Sequence, residues 1–346
     1  MAQNENSRVQ GWFRETKKYE KPSKARALWQ ILNTMVPFLA LWAVILWLHH
    51  SGQPYLLILP FIIVAGLFMI RLFIIFHDCT HGSFFASATA NRVLGTLLGI
   101  LTFTPFADWR KAHSIHHANT ANLDKRGVGD IWTLTLEEYQ AASPSTRFWY
   151  RVYRNPIVLF FLVPPILFFI LQRFPSGKFE QKTLLNLHIT NVGIAVVAIA
   201  LGFLGGWDLV YLVELPMFYL ASVIGVWLFY VQHQFDPGYW QRDEQWQAHD
   251  AAMLGSSHYK LPKVLQWISG NIGLHHIHHL RPHIPNYNLE RCYRATPELQ
   301  LANPLTFRTS FASLNLHLWD EKNQTLIGFR TARQRLRGLA PRLSLS

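Results

Sequence analysis

Histidine is the residue whose placement in this chain most needs explaining. His77 and His81 stand four apart in H-D-C-T-H. Two later segments repeat the pattern H-x-x-H-H: His113, His116 and His117 in H-S-I-H-H, and His275, His278 and His279 in H-H-I-H-H. If these segments are helical, separations of three and four put the imidazoles of each cluster near one another, about one turn apart. A lone histidine on an apolar face is usually a hydrogen-bonded core residue. Eight gathered at one boundary would need many partners if they were only structural. Neutral imidazole is also a ready transition-metal ligand.

One tetrahedral zinc takes four ligands, so eight histidines suit two metals better than one. Thiolate clusters are absent, and so are the Glu-x-x-His pairs of soluble di-iron carboxylate bundles. An all-imidazole, two-metal site beside a bilayer suits iron and oxygen chemistry, while donor type alone leaves copper and zinc open.

Long apolar runs supply the elements that must position these side chains. Residues 27–48, 55–76, 184–204 and 209–231 are each long enough to cross a bilayer as a helix, which takes about 20 residues. Arg71 and Glu214 are the only Lys, Arg, Asp or Glu side chains in them. Two shorter runs, 93–107 and 156–171, read as interfacial or re-entrant segments. A bend is expected at Pro164–Pro165, where two backbone donors are missing.

Charge divides the chain in the same way. The first segment carries Arg8, Arg14, Lys17, Lys18, Lys21, Lys24 and Arg26, whereas residues 49–54 and 205–208 carry no Lys or Arg. Residues 92–154 and those from 242 onward are basic again, so the positive-inside rule assigns the N-terminal, middle and C-terminal segments to the cytoplasm. Four spans in two hairpins satisfy this. A fifth span at 156–171 would turn Arg173, Lys178 and Lys182 outward. The net charge of +12 therefore reads as membrane orientation rather than nucleic-acid binding. It also suits anionic headgroups or an acidic redox partner.

Cys79 and Cys292 show no metal-type or disulfide pattern and read as free thiols. The first 26 residues are polar for too long to be a cleavable signal, so the first apolar run is expected to be retained. The expected fold is an all-α integral membrane protein with four long helices in two hairpins, two short interfacial or re-entrant helices and a cytoplasmic histidine-rich cap. The expected divisions are a basic tail over 1–26, a membrane unit over 27–320 and a basic tail over 321–346. The arginines Arg330, Arg333, Arg335, Arg337 and Arg342 are expected to lie in solvent or against headgroups.

The three boxes resemble those of the membrane fatty acid desaturases. The resemblance runs from about residue 28 to 320, through FIIFHDCTHGSFF, HSIHHANTANLDKRGVGDIW, GVWLFYVQHQF and YKLPKVLQWISGNIGLHHIHHLRPHIPNYNL. It is strongest toward bacterial acyl-lipid desaturases, the delta-five type included. The resemblance implies two irons held by His77, His81, His113, His116, His117, His275, His278 and His279. It adds His233 as a further ligand, matching a histidine that precedes the third box in related enzymes. It implies dioxygen-dependent insertion of a cis double bond into the acyl chain of a membrane lipid, in the cytoplasmic membrane. The electron donor must be separate, because the chain lacks a His-Pro-Gly-Gly haem motif, a Gly-rich dinucleotide fingerprint and a cysteine cluster. A ferredoxin or flavodoxin fits the basic face.

Asp78 is placed to orient an imidazole through its second nitrogen, and Asn271 to do the same or to bind a bridging water. Residues 119–130 are expected to order the second box through turn hydrogen bonds. The pattern does not use His276. His188, His249, His258, His283 and His317 read as structural. Rival readings are a hydroxylase or ketolase on the same scaffold, and a membrane metal transporter or sensor. The transporter reading is disfavoured because no span interior carries a ligand pair.

Overall fold

The uncharged runs form the four longest helices: α1 (Lys24–His50), α2 (Tyr55–His81), α7 (Gln181–Gly205) and α8 (Leu209–His233). A computed structural model describes residues 11–175, 180–302 and 304–338; Arg8, Lys178 and Arg342 lie outside them. The expected spans are thus present, and α2 and α8 extend beyond their apolar runs. Twenty-seven residues of α2 rise about 40 Å, against a hydrocarbon layer of about 30 Å. The surplus turns carry His77 and His81, so the helix that spans also lifts the first box clear of the hydrocarbon. At the opposite ends, His49 and His50 hydrogen-bond the carbonyls of Gly205 and Leu204, fastening the two hairpins together.

The run expected over 93–107 is two helices meeting at a turn. α3 (Ala88–Leu101) ends at Thr102, and α4 (Phe106–Asn119) starts after Pro105. Phe103 between them has φ 53°, which reverses the chain. Asn186 of α7 accepts a hydrogen bond from the Ala107 amide at 2.9 Å, satisfying one of the free donors at the start of α4. The second short run also differs from expectation. α5 (Pro144–Tyr153) and α6 (Val158–Arg173) meet at 67°, so the bend lies before Val158 rather than at Pro164–Pro165. The paired prolines stay helical because wide π-type turns, Val158–Leu162 and Ile166–Ile170, flank them and absorb the missing donors.

The cap is not wholly α-helical. Strand β1 (Leu134–Thr135) pairs parallel with β4 (Leu318–Asp320), which pairs antiparallel with β5 (Thr325–Ile327). Strand β2 (His258–Lys260) pairs parallel with β3 (Pro304–Thr306). The third box is the short helix α9 (His275–Leu280), followed by α10 (Asn286–Ala295).

Both flanks expected as tails have packed portions. Trp12 and Tyr19 pack against the cluster containing Ile277 and Cys292, and the Arg281 guanidinium sits 3.7 Å over the Phe13 ring while pairing with Glu20 at 3.0 Å. At the other end the 320/321 division falls inside the β4–β5 hairpin. The helix α11 (Phe329–Leu336) then buries Ala332 and pairs Arg335 with Asp320. In each case an arginine finds a carboxylate and an apolar side chain finds cover, which a solvated tail would forgo.

The turn between α3 and α4 leaves no room for a side chain at Gly99. A Cβ there would lie 2.4 Å from the Thr104 carbonyl oxygen, a backbone atom. Gly99→Ala should therefore displace α4 and destabilise the protein by about 1–3 kcal/mol. A lowered thermal midpoint in detergent, with reduced metal content, is the expected result.

Candidate metal centre

Nine imidazoles from four helices meet at one end of the helix bundle. The ligand atoms of His77, His81, His113, His117 and His278 lie within 4.8 Å of one another, as do those of His116, His233 and His279. His275 joins the second group, its Nε2 standing 2.9 Å from that of His233 and 3.1 Å from that of His279. The two groups adjoin, with the His117 and His279 rings stacked 4.1 Å apart.

The two H-x-x-H-H boxes are divided in complementary fashion. On α4 the i,i+4 pair His113 and His117 turns to the first group, and His116 to the second. On α9 the i,i+4 pair His275 and His279 turns to the second group, and His278 to the first. Adjacent residues on a helix point about 100° apart, so each box can serve two centres at once.

Hydrogen bonds on the far ring nitrogens decide which nitrogen carries the proton. His116 Nδ1 lies 2.5 Å from Asp130 Oδ1, and Asp130 Oδ2 accepts from the Gly127 amide. His77 Nδ1 lies 3.3 Å from Asp78 Oδ1, while Asp78 Oδ2 accepts from the Asn286 backbone at 2.6 Å and side chain at 2.8 Å. The Thr120 hydroxyl donates to the His116 carbonyl, so it accepts from His279 Nδ1 at 3.1 Å. A neutral imidazole has one N–H. These three rings therefore present bare Nε2 lone pairs toward the centre.

The Nε2 separations follow: His77 to His113 3.0 Å, His113 to His117 3.1 Å, His117 to His278 3.0 Å and His116 to His233 3.2 Å. Two ligands on one metal with bonds of about 2.1 Å would lie about 3.0 Å apart at right angles and about 3.4 Å apart at the tetrahedral angle. The observed spacing fits right-angled coordination. His81 Nε2 is buried without a partner, as a ligand atom awaiting a cation would be. Neither group contains a thiolate or carboxylate among the described residues.

Burial holds the rings of His113, His117, His275, His278 and His279 well below the ordinary imidazole range, and neighbouring imidazoles push the same way. They are neutral and able to ligate at physiological pH. Trp109 stacks on His113 at 4.2 Å, and Phe229 covers His116 and His233, limiting access of water.

The matching family model, Fatty acid desaturase, covers residues 53–311. A fatty acid desaturase of Bacillus subtilis (strain 168) is 46% identical over 90% of this chain and 88% of its own length. The chain belongs to the fatty acid desaturase family. Its members are oxidoreductases, and the other relatives include acyl-lipid enzymes. A sn-1 oleoyl-lipid 12-desaturase of Synechocystis sp. is 26% identical, with 75% and 74% of the two chains covered. A sn-1 acyl-lipid omega-3 desaturase (ferredoxin) of the same organism is 28% identical, with 68% and 66% covered. None of these names carries the delta-five position.

In this desaturase all eight box histidines and His233 converge. Asp78 reaches a box imidazole, but Asn271 does not. Asn271 turns the chain before α9 at φ 60°, and its side chain donates to the Asn286 carbonyl. His276 points away to the Leu299 carbonyl, and burial lowers its pKa to about 3. His283 bonds the His81 carbonyl, His249 lies beside Asp250, His317 stacks on Phe329, and His258 packs against His276. His188 lies in α7, away from both groups.

Residues 119–130 do more than form turns, since they supply Thr120 and Asp130 to two rings. Thr120 stands four residues after His116, a spacing that helix geometry makes visible. Asp130 follows no such rule.

Asp130→Ala frees the His116 ring and should lower metal affinity about 10- to 100-fold, read by chelator competition. Wild-type affinity in that variant would refute the orienting role. Acid should also destabilise the fold. Burial lowers His258 and His317 to about 4, against about 6.5 in an unfolded chain. The unfolded state takes protons first, so stability present above pH 6.5 is lost as pH falls toward 4. The thermal midpoint should decline over that window; a rise would contradict the assignment.

Proposed function

We propose that each imidazole group holds one iron, with His77, His81, His113, His117 and His278 on one and His116, His233, His275 and His279 on the other. On this reading the enzyme inserts a cis double bond into an acyl chain of a membrane phospholipid, using dioxygen. The observation that carries it is the set of converging Nε2 atoms about 3 Å apart, in a chain of desaturase family. Methylenes offer neither an acidic proton nor a leaving group, so side-chain acids and bases cannot perform the reaction alone. Bound iron would supply the oxidising chemistry.

The protein's part is to hold the donors, fix their tautomers and keep the centre dry. Asp78, Asp130 and Thr120 set which nitrogen is free. Trp109 and Phe229 shield the rings. The reaction balances as one dioxygen, two hydrogens from the chain, two electrons and two protons giving two waters. The electrons come from a separate carrier. The ferredoxin in the name of the Synechocystis omega-3 relative supports a ferredoxin, and a flavodoxin would serve equally.

The histidine end is assigned to the cytoplasmic face of the cell membrane. Lys and Arg are absent from 49–54 and 205–208 at the opposite end and frequent in the segments that join the boxes.

His116→Ala and His278→Ala remove one ligand from each group. Both should abolish new unsaturated fatty acids, read by gas chromatography of an expressing host, while membrane insertion persists. Purified wild-type protein should carry about two irons per chain, as two-metal sites do. Full activity in either variant, or stoichiometric zinc without iron, would sink this reading.

A further inference from the structure

The cap carries a surface that the metal centre does not use. The helix Lys263–Ile268 leaves Val264 72% exposed, with Leu265 and Trp267 also open. Close by, across the β2–β3 pair, Phe307 and Phe311 are exposed and packed on each other at 5.3 Å. Lys260, Lys263 and Arg308 stand among these apolar groups, are exposed, and pair with no carboxylate among the described residues. Acidic residues are absent between Asp250 and Glu290 and between Glu298 and Asp320. A water-facing surface rarely combines unpaired cations of one sign with open tryptophan and phenylalanine, whereas the headgroup layer of a membrane favours both.

The level of this rim is fixed on two spans. Trp267 packs edge-on against Phe68 of α2 and lies 4.0 Å from the Arg71 guanidinium. Phe311 packs on Trp227 of α8 at 5.5 Å. Arg71 precedes His77 by six residues, and Trp227 precedes His233 by six, so both anchors lie about 9 Å below the histidines. The two helices are in close contact: a Cβ added at Gly66 of α2 would lie 3.1 Å from the Met217 carbonyl oxygen of α8.

We propose that this rim is a docking surface for anionic phospholipid headgroups of the leaflet at the histidine end, beside the α2–α8 seam. Lys260, Lys263 and Arg308 take the phosphate, and the apolar side chains enter the acyl boundary. The headgroup stays at the rim while its acyl chain rises about 9 Å to the imidazole centre. This rests on the desaturase reading only for its last step, since lipid docking itself requires no metal.

The test uses the full chain in nanodiscs of phosphatidylcholine alone or mixed with phosphatidylglycerol. A fluorophore on Val264→Cys should be quenched by lipids spin-labelled near the headgroup and little by those labelled at the chain end. K260Q/K263Q/R308Q should retain less phosphatidylglycerol on purification and raise the KM for phosphatidylglycerol-borne chains, each on the order of tenfold. The control R330Q/R333Q/R337Q should do neither. A fluorophore open to water and untouched by either quencher, or equal lipid retention in both triple variants, overturns the proposal. Loss of desaturation in every sample with lipid retention intact would instead count against the iron reading.

Discussion

The gathering of nine imidazoles with their Nε2 atoms about 3 Å apart is the constraint on which the rest of this protein depends. Each ring whose Nδ1 is held by Asp130, Asp78 or Thr120 has no proton left for its Nε2. Three of the nine rings thus turn a bare lone pair inward within a buried pocket. A cation bound there would be coordinated by them. The scaffold must therefore hold nine rings within reach of one another. That accounts for the number of elements that converge here and for the outer hydrogen bonds that pin three of the rings.

Helix length is the means by which a membrane protein meets this demand. α2 and α8 are longer than the hydrocarbon is thick, so their last turns emerge carrying His77, His81 and His233. α4 is set beside them by the turn at 102–105 and by Asn186 of α7, which reaches its first turn. α9 comes from the cap and is held by the N-terminal segment through Arg281. Each group thus draws on both kinds of element, a spanning helix anchored in the bilayer and the helix α9 folded over it.

Much of this was legible beforehand. Four spans follow from the absence of charge over about 20 residues, because unpaired charges are costly in hydrocarbon. The eight box histidines follow from their spacing. Other features were not legible because they rest on contacts between distant residues. The bend lies before Val158 rather than at Pro164–Pro165, since π-type turns absorbed the prolines. The flanks have packed portions because Glu20 and Asp320 offer partners to Arg281 and Arg335.

The sequence by itself determined which side chains could bind metal and that they would gather at one end of a helical membrane bundle. Hydropathy and helical periodicity are local, and they survive without knowledge of neighbours. Only the tertiary structure decided how the nine rings divide between two groups. It also decided that His276 faces away, that Asn271 supports a turn, and that Asp130 and Thr120 set the tautomers. Those outcomes depend on the relative rotation of α4 and α9 and on which loop atoms lie within hydrogen-bond reach. Such distances arise only after the chain has closed on itself.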